Sequence, residues 1–296
     1  MDEVEITGLL QGLGFEVEIT GPINITKVCS FSKPVPSAIT FWRHESAPPQ
    51  EQLAEFPKTS VIMAEKEHRE ALKEAGVTVI LVNSPRAAFA VISNEFSATR
   101  PKPGIHPTSV VTAGASIDAS ASIGSHTFIG AAIIGPRVNI GHGVIIHDNV
   151  CIGADTEIGD STVIGGPGFG YVYLPNGASL RMPHLGGVTI GEGVHIGSNV
   201  SIDRGTINDT VLEAHCRIDN LVHLAHNVQV GERAMVIAGA EISGGVRVGK
   251  GAWIAPQASV REQIVIGDNA VVGLGSVVVK NVEAGSTVMG VPARRI

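Results

Sequence analysis

The chain has 296 residues, with 36 glycines, 4% aromatic residues and 17% charged residues, so small and β-branched side chains must do most of the packing. Its net charge of −7 at pH 7 gives no electrostatic reason to expect nucleic acid or an anionic membrane as a partner. The 3 cysteines are an odd and sparse set, which argues against a disulfide framework and indicates a reducing compartment.

Targeting signals are not expected in this sequence. Residues 1–5 lack the basic-then-apolar order of a signal peptide, and no run approaches the ~18 uninterrupted apolar residues of a membrane-spanning helix. We therefore expect a cytoplasmic protein without stable membrane insertion.

Residues 1–100 have the mixed pattern of a small α/β domain. The apolar spacing and the positions of glycine and proline predict helices over 6–13, 66–75 and 85–92, and strands over 15–19, 38–42, 59–63 and 77–82. A run rich in proline and glycine at 99–104 marks the predicted end of this domain.

A six-residue repeat occupies residues 101–296. The recurring apolar residues are Ile117, Ile123, Ile129, Ile134, Ile140, Ile146, Ile152, Ile158 and Ile164, then Ile190, Ile196 and Ile202, then Ile218, Leu224, Val230, Val236, Ile242, Val248, Ile254, Val260, Ile266, Val272 and Val278. From Ile218 onward a second small or apolar residue stands two positions before each of them, and glycine often follows. Two inward positions in six predict a parallel β-helix of hexapeptides, with three sides in each coil.

The repeat is interrupted over residues 165–189 by a predicted inserted loop that holds both tyrosines of the chain, Tyr171 and Tyr173. Long loops on a rigid scaffold often carry function, although a solvated hairpin is the plain alternative.

The chemistry is predicted at the stretch from Ile218 to Gly231. His226 lies two residues beyond the inward Leu224, so its side chain should project from a corner of the coil. Asp219, across one corner, could orient the imidazole, and the N–H of Gly244, one coil further, could face an oxyanion. Base, acid and oxyanion donor are the parts required for acyl transfer to a hydroxyl or an amine. The neighbouring His223 reads either as a substrate contact or as a plain surface histidine.

Several motifs resemble one known family. Residues 202–205 (Ile-Asp-Arg-Gly) and 218–227, which include Ala-His-Asn, resemble the signature of the UDP-3-O-acylglucosamine N-acyltransferases of lipid A biosynthesis. Residues 168–170 (Gly-Phe-Gly), 103–107 and 39–41 resemble further motifs of that family, so the resemblance covers nearly the whole chain.

The resemblance implies a homotrimer of left-handed β-helices, with active sites between subunits and without a metal or a cofactor. It implies transfer of a 3-hydroxyacyl chain from acyl carrier protein to the 2-amino group of a UDP-amino sugar. The resemblance also implies that His226 is the general base, that Asp219 is its orienting acid and that the Gly244 N–H is the oxyanion donor. The residues expected to contact substrate are Phe41 and Trp42 in a uridine-binding N-terminal domain, together with His223, Asn227, Phe169, Tyr171 and Gln263.

Three features depart from the family pattern. Ala47 stands where the family usually has a tyrosine that forms a second wall around uracil, so Trp42 is the aromatic expected to replace it. Gln263 stands where the family has a second histidine. The C-terminal helices with which many members dock the carrier protein are not expected in this protein, whose given sequence ends at Ile296.

Three other functions fit parts of the sequence. An N-acetyltransferase that uses acetyl-CoA and a nucleotide amino sugar would keep the chemistry with another donor. His106, His142 and His147 resemble in their spacing the zinc ligands of γ-class carbonic anhydrases. A non-enzymatic solenoid would need no catalytic histidine at all.

Overall fold

The computed structural model describes residues 1–97 and 101–296, and the chain divides into two compact units, Met1–Arg100 and Pro101–Ile296. Residues 98–100, where the predicted N-terminal domain ends, lie outside the described residues. In the described ranges no helix is both long enough and apolar enough to cross a membrane.

The N-terminal unit is a small α/β fold around one five-stranded sheet. Its elements are α1 (Glu3–Gly12), β1 (Val17–Ile19), β2 (Lys27–Val28), β3 (Ala38–Phe41), α2 (Gln50–Leu53), β4 (Val61–Ala64), a 3₁₀ turn (Lys66–His68), α3 (Arg69–Glu74), β5 (Thr78–Val82) and α4 (Pro85–Ser97). The strand order is β1-β5-β4-β3-β2, and only the β1–β5 pair is antiparallel. The predicted strands reappear in this sheet, whereas exposed β2 and four-residue α2 have too little apolar pattern to be predicted.

Helix α1 begins three residues earlier than predicted, because Asp2 caps it. The Asp2 side chain accepts a hydrogen bond from the Glu5 backbone N–H, and the Glu5 carboxylate accepts one from the Asp2 N–H. This capping box satisfies two N–H groups that the start of a helix otherwise leaves without acceptors.

The second unit is a left-handed parallel β-helix, as predicted. Its strands are β6 (Gly104–Ile105), β7 (Val110–Val111), β8 (Ser116–Ile117), β9 (Ser122–Ile123), β10 (Phe128–Ile129), β11 (Ile133–Ile134), β12 (Asn139–Ile140), β13 (Ile145–Ile146), β14 (Val150–Ile152), β15 (Glu157–Ile158), β16 (Val163–Pro167), β17 (Tyr171–Tyr173), β18 (Ser179–Arg181), β19 (Val188–Ile190), β20 (His195–Ile196), β21 (Ser201–Arg204), β22 (Thr210–Leu212), β23 (Arg217–Ile218), β24 (His223–Leu224), β25 (Gln229–Val230), β26 (Met235–Val236), β27 (Glu241–Ile242), β28 (Arg247–Val248), β29 (Trp253–Ile254), β30 (Ser259–Val260), β31 (Val265–Ile266), β32 (Val271–Val272), β33 (Val277–Val278), β34 (Thr287–Met289) and β35 (Arg294–Arg295).

All of these strands except β17 and β18 form three long sheets of 9, 8 and 11 strands, one for each side of the coil. The second residue of each repeating strand points inward, and the inward residues from Ile123 to Val278 make one continuous buried core. Leu224 and its inward neighbour Val222 are both buried in it. Each coil covers its neighbours' apolar side chains, so the stack supplies the core that a single repeat lacks.

The glycine that follows many inward residues is required by the close approach of the next coil. At Gly249 an added Cβ would lie 2.6 Å from the Asp268 backbone nitrogen. The left-handed backbone conformation occurs later in the corner, as at Asn227 (φ 61°) and Gly245 (φ 70°). Glycine in this repeat therefore has two separate causes, stacking and turning.

The insertion starts in β16 and returns to the coil at β19. Strands β17 and β18 form an antiparallel hairpin whose side chains are exposed, while Gly168 and His184 on either side of it are buried. Arg204 fastens the base of the loop, because its Nε donates to the Gly165 carbonyl (2.6 Å) and its Nη2 to the Asp148 carbonyl (2.7 Å). The insertion is thus solvated at its tip and packed at its base.

Candidate active site

The candidate site is the corner between β24 and β25. Leu224 enters the core at the end of β24 and is fully buried, so the chain must turn through residues 225–228 to reach the next side. His226 lies in that turn and is half-buried, with its side chain outside the core. Because Leu224 points inward, the imidazole two residues later projects from a corner.

Gly244 lies against the His226 ring from the next coil. A Cβ built on Gly244 would lie 2.7 Å from His226 Nε2, so only glycine leaves that nitrogen uncovered. The two coils are joined here, because Gly245 N–H donates to the His226 carbonyl at 2.9 Å. Within the described ranges the Gly244 N–H itself has no hydrogen-bond acceptor. It is a free donor beside the imidazole, as an oxyanion hole requires.

Asn227 determines which nitrogen of His226 carries the proton. Its Oδ1 lies 3.1 Å from His226 Nδ1 and also accepts from the N–H (3.1 Å) and hydroxyl (3.0 Å) of Thr206. Its Nδ2 donates to the Asn208 carbonyl at 2.8 Å, which fixes the amide orientation. Because Oδ1 can only accept, the network assigns the proton to Nδ1 of His226 and leaves Nε2 with a free lone pair.

The predicted pairing of Asp219 with His226 is not what the described residues show. The Asp219 carboxylate accepts hydrogen bonds from the Asn220 N–H (2.7 Å), the Asn220 side-chain amide (3.0 Å) and the Ala238 N–H (3.2 Å). Asp219 opens the corner before β24, whereas His226 lies in the corner after it. One whole side of the coil separates the two corners, so Asp219 stabilises its own turn.

The carboxylate near the imidazoles is Asp203, which the sequence reasoning did not assign. Its side chain is 14% exposed, and its Oδ2 lies 3.9 Å from His223 Nε2. Burial raises the pKa of the Asp203 carboxyl, while His223, His226 and His184 act to lower it. Asp203 therefore lies among three imidazoles and can stabilise positive charge on any of them.

The neighbourhood of Asp203 and His223 could not be predicted from the six-residue repeat, because extra residues lie between them in sequence. Ser201 pairs with His223, whereas the six-residue count would pair it with Asp219. The extra residues form the turn around Thr206 and Asn208, the same turn that holds Asn227. The one available signal was the position of Asp203 in the Ile-Asp-Arg-Gly motif.

The remaining predicted contact residues in this unit lie at different depths. His223 projects from β24 toward Asp203 and pairs in register with Glu241 of the next coil. Phe169 is 86% exposed and Tyr171 is 51% exposed, and their rings contact each other at 5.1 Å. Gln263 is exposed, and its N–H donates to the Gly244 carbonyl at 3.0 Å.

Phe41 and Trp42 lie in the N-terminal unit at the end of β3. Phe41 is half-buried and packs on Phe89 with ring centroids 4.8 Å apart. Trp42 packs on Phe31 at 4.6 Å, and its Nε1–H donates to the Ser46 carbonyl at 2.8 Å. Ala47 in the same loop is exposed. The part of these aromatics that remains exposed is available for a stacked base, which stays a prediction.

The described residues contain no group of three or more His, Cys, Asp or Glu side chains placed to hold a metal ion. His142 Nδ1 accepts from the Ser125 N–H (2.9 Å), and His106 Nδ1 lies 3.0 Å from the Thr108 hydroxyl. His147 lies elsewhere, and burial and the nearby Arg204 lower its pKa. His106 and His142 line one cavity and His147 lines another, so the three histidines of the carbonic anhydrase alternative do not share one cavity in this chain.

Two surface features lie in the coils that precede the candidate site. A cavity of about 320 Å³ beside it is lined by Phe128, His147, Asp148, Pro167, His184 and Arg204. On the sheet that carries His223, the outward residues of three successive earlier coils, Val110, Phe128 and Ile145, stack as an exposed apolar strip. A larger cavity of about 750 Å³, which His106 and His142 help to line, contains none of the residues predicted for acyl transfer.

Proteins with similar sequences are acyltransferases. The chain is 31% identical over 259 residues to UDP-3-O-acylglucosamine N-acyltransferase of Coxiella burnetii (strain Dugway 5J108-111), an alignment that covers 81% of this chain and 74% of the relative. It is 37% identical over 194 residues to the protein of that name from Pseudomonas aeruginosa (strain LESB58), with 56% and 53% covered. No protein-family model matches the chain.

Solved structures agree on the fold. UDP-N-acetylglucosamine O-acyltransferase from Moraxella catarrhalis RH4 superimposes with a TM-score of 0.60 and 28% identity, over 65% of this chain and 73% of that one. The Francisella novicida UDP-N-acetylglucosamine acyltransferase gives a TM-score of 0.60 and 26% identity, with 65% and 70% covered. Together with the motifs and the site geometry, these comparisons establish that this chain is an acyltransferase and belongs to the family of UDP-3-O-acylglucosamine N-acyltransferases.

Proposed function

We propose that this protein transfers a 3-hydroxyacyl chain from acyl carrier protein to the 2-amino group of a UDP-3-O-acylglucosamine, as a step of lipid A biosynthesis. The names of the relatives support the acceptor. The observation that carries the proposal is the arrangement of His226 Nε2, with its free lone pair, beside the free N–H of Gly244.

In the proposed reaction the amine nitrogen attacks the thioester carbonyl carbon, and His226 Nε2 accepts the proton that the nitrogen loses. The carbonyl oxygen becomes an oxyanion, for which the Gly244 N–H is the donor. Collapse of the tetrahedral intermediate breaks the C–S bond and forms the amide. The departing thiolate then receives the proton from His226, which restores the base.

The sequence analysis gave Asp219 the role of orienting His226, and we propose that Asn227 and Asp203 share this role. Asn227 holds His226 in the tautomer that leaves Nε2 free. Asp203, by its negative charge, stabilises the imidazolium that forms when His226 accepts the proton. His223, 3.9 Å from Asp203, would contact substrate from the adjoining side.

The apolar strip favours a long acyl chain over an acetyl group. Phe128 and Ile145 are each 38% exposed and Val110 is 59% exposed. A contiguous exposed apolar surface often marks a binding site for an apolar group. Strands in the stack lie ~4.8 Å apart, so the strip spans several methylene groups of a fatty acid. Phe169, Tyr171 and Gln263 lie on segments that adjoin the site and are proposed to contact the two substrates.

The N-terminal unit is proposed to bind the uridine of the acceptor, with Phe41 and Trp42 as the stacking aromatics. The protein is further proposed to work as a homotrimer in the cytoplasm, with a neighbouring subunit completing each site. His226 is only half-buried and Gln263, hydrogen-bonded to Gly244, is exposed on this chain, which leaves surface at the site for a neighbouring subunit to cover.

A panel of donors and acceptors tests the proposal. Purified protein is incubated with 3-hydroxyacyl carrier proteins of several chain lengths or acetyl-CoA, and with UDP-3-O-acylglucosamine or UDP-glucosamine. Mass spectrometry should detect a new amide only with a long-chain carrier-protein donor and the 3-O-acylated acceptor. An amide formed solely from acetyl-CoA would replace the proposed donor, and no amide from any pair would reject the function.

The His226→Ala variant separates the enzyme from a binding solenoid. Loss of a general base is expected to lower the rate by ~10²–10⁴. A variant that turns over at the wild-type rate would remove His226 from the mechanism, and sedimentation of the same sample checks the trimer.

A further inference from the structure

His184 is a buried imidazole that the proposed mechanism does not use. It lies in the inserted loop, only 8% exposed, although most of the hairpin beside it is in solvent. Its ring meets the ring of His226 edge-on, with centroids 5.1 Å apart and planes at 64°. A loop residue is therefore in direct contact with the candidate base.

Gly168 closes the other side of this contact. A Cβ on Gly168 would lie 2.9 Å from His184 Nε2 and 3.2 Å from His226 Cβ. Gly168, His184 and His226 consequently pack as one unit, and any side chain at residue 168 would push the two rings. A Cβ on Gly170 meets His184 only at 3.4 Å, an ordinary contact.

Burial favours the neutral form of His184, and a hydrogen bond to a backbone carbonyl fixes its ring. Its Nδ1 lies 3.1 Å from the Met182 carbonyl, which can only accept, so the proton is on Nδ1. Burial lowers the pKa of His184, and His226 lowers it further, against smaller opposing effects of the Met182 carbonyl and Asp203. A neutral ring can pack beside His226 when that base takes up its proton, because it adds no second positive charge.

We propose that His184 is a positioning residue, which anchors the inserted loop on His226 and holds the catalytic ring in its orientation over Gly244. The inference rests on the proposed acyl transfer and deepens it, because it assigns the buried base of the insertion to the catalytic centre. Catalysis is sensitive to such placement, since a displacement of ~1 Å can cost about 10² in rate.

The test compares His184→Ala with His184→Gln in the full-length protein. Alanine removes the packed ring and its hydrogen bond, so kcat should fall by ~10²-fold while KM for both substrates changes less than about threefold. Glutamine fills similar space, can donate to the Met182 carbonyl and carries no titratable proton, so it should restore most of kcat. His195→Ala, at an exposed histidine on β20, should leave kcat unchanged.

Two outcomes would overturn the proposal. If His184→Ala keeps kcat within about twofold of wild type, the contact does not position the base. If His184→Gln is as slow as His184→Ala, or KM rises instead of kcat falling, His184 transfers a proton or binds substrate. Inactivity of the wild-type protein with every donor and acceptor is a different result, which rejects the proposed function.

A glycine variant tests the same contact without touching either histidine. Gly168→Ala places a methyl group 2.9 Å from His184 Nε2 and 3.2 Å from His226 Cβ, so it should lower kcat as His184→Ala does, whereas Gly170→Ala should lower it far less. The thermal midpoint of each variant shows whether it is folded. Equal kcat in both glycine variants, with both folded, would contradict the proposal.

Discussion

Nδ1 of His226 lies 3.1 Å from Oδ1 of Asn227, its neighbour in sequence. Adjacent side chains rarely face each other, but Asn227 has a left-handed backbone (φ 61°), which turns its amide back toward the imidazole. Asparagine adopts this conformation more readily than most residues. One corner thus supplies both the proposed base and the group that sets its tautomer.

Two substitutions at Asn227 test this relationship. Asn227→Gly removes the amide without backbone strain and should lower kcat on the order of 10²-fold, because His226 loses its fixed tautomer. Asn227→Asp keeps an acceptor oxygen at the same place and should retain much more activity. Steady-state kinetics with acyl carrier protein as donor measures both, and similar losses would show that the Oδ1 contact is not what matters.

Asp219 should prove structural. Asp219→Ala leaves the Asn220 and Ala238 N–H groups without their acceptor, at a cost of about 0.5–1.5 kcal/mol in the free energy of unfolding. We expect kcat to stay near the wild-type value, because the carboxylate is a strand away from His226. Denaturant unfolding and kinetics on the same preparation check both parts. A large fall in kcat with stability intact would restore Asp219 as the orienting acid.

Gly244→Ala should abolish most of the activity. The new Cβ would lie 2.7 Å from His226 Nε2, so the ring must move away from the oxyanion donor. We expect a loss of ~10²–10³ in kcat, the range for removal of one oxyanion contact. Ser243→Ala is the adjacent control, since that hydroxyl donates to the Glu241 carboxylate. An active Gly244→Ala enzyme would move the oxyanion site elsewhere.

Asp203→Asn should stabilise the protein at neutral pH while it slows the reaction. Burial raises the pKa of Asp203 above its ordinary value of 3.8, so the folded state binds the proton more tightly than the unfolded state. The stability that this proton contributes is full below pH 3.8 and is lost as pH rises through the raised pKa.

Asparagine mimics the protonated form at every pH. The thermal midpoint of Asp203→Asn should therefore exceed that of wild type at pH 7–8, and the difference should shrink toward pH 4. A lower midpoint at neutral pH would mean that the three histidines stabilise the charged carboxylate more than burial destabilises it.

The cysteines should differ in reactivity. Cys216 points into the core, and burial raises the pKa of its thiol to about 12, so roughly 10⁻⁴ of it is thiolate at pH 8. Cys151 is exposed and should react with iodoacetamide in the native protein. Peptide mass spectrometry with and without denaturant measures both sites. Native labelling of Cys216 at the rate of Cys151 would contradict the inward register at residue 216.

The β-helix could be predicted because its period is local. Every side of the coil needs an inward apolar residue at the same position. The six-residue spacing of Ile218, Leu224 and Val230 therefore predicts the fold without information from distant parts of the chain. The contact between His226 and Gly244 followed from the same count, because no insertion separates their coils. Leu224 of β24 lies opposite Ile242 of β27 in the sheet, which confirms that register.

The sequence by itself therefore determined the scaffold, the family and the position of the proposed base, because all three follow from regular spacing and contiguous motifs. Only the tertiary structure decided what surrounds the base. The extra turn before β22 shifts Asp203 to the level of His223, and the insertion folds back to bring His184 onto His226. Both insertions interrupt the regular spacing that predicts which residues are neighbours in space. These contacts therefore depend on where the irregular segments pack.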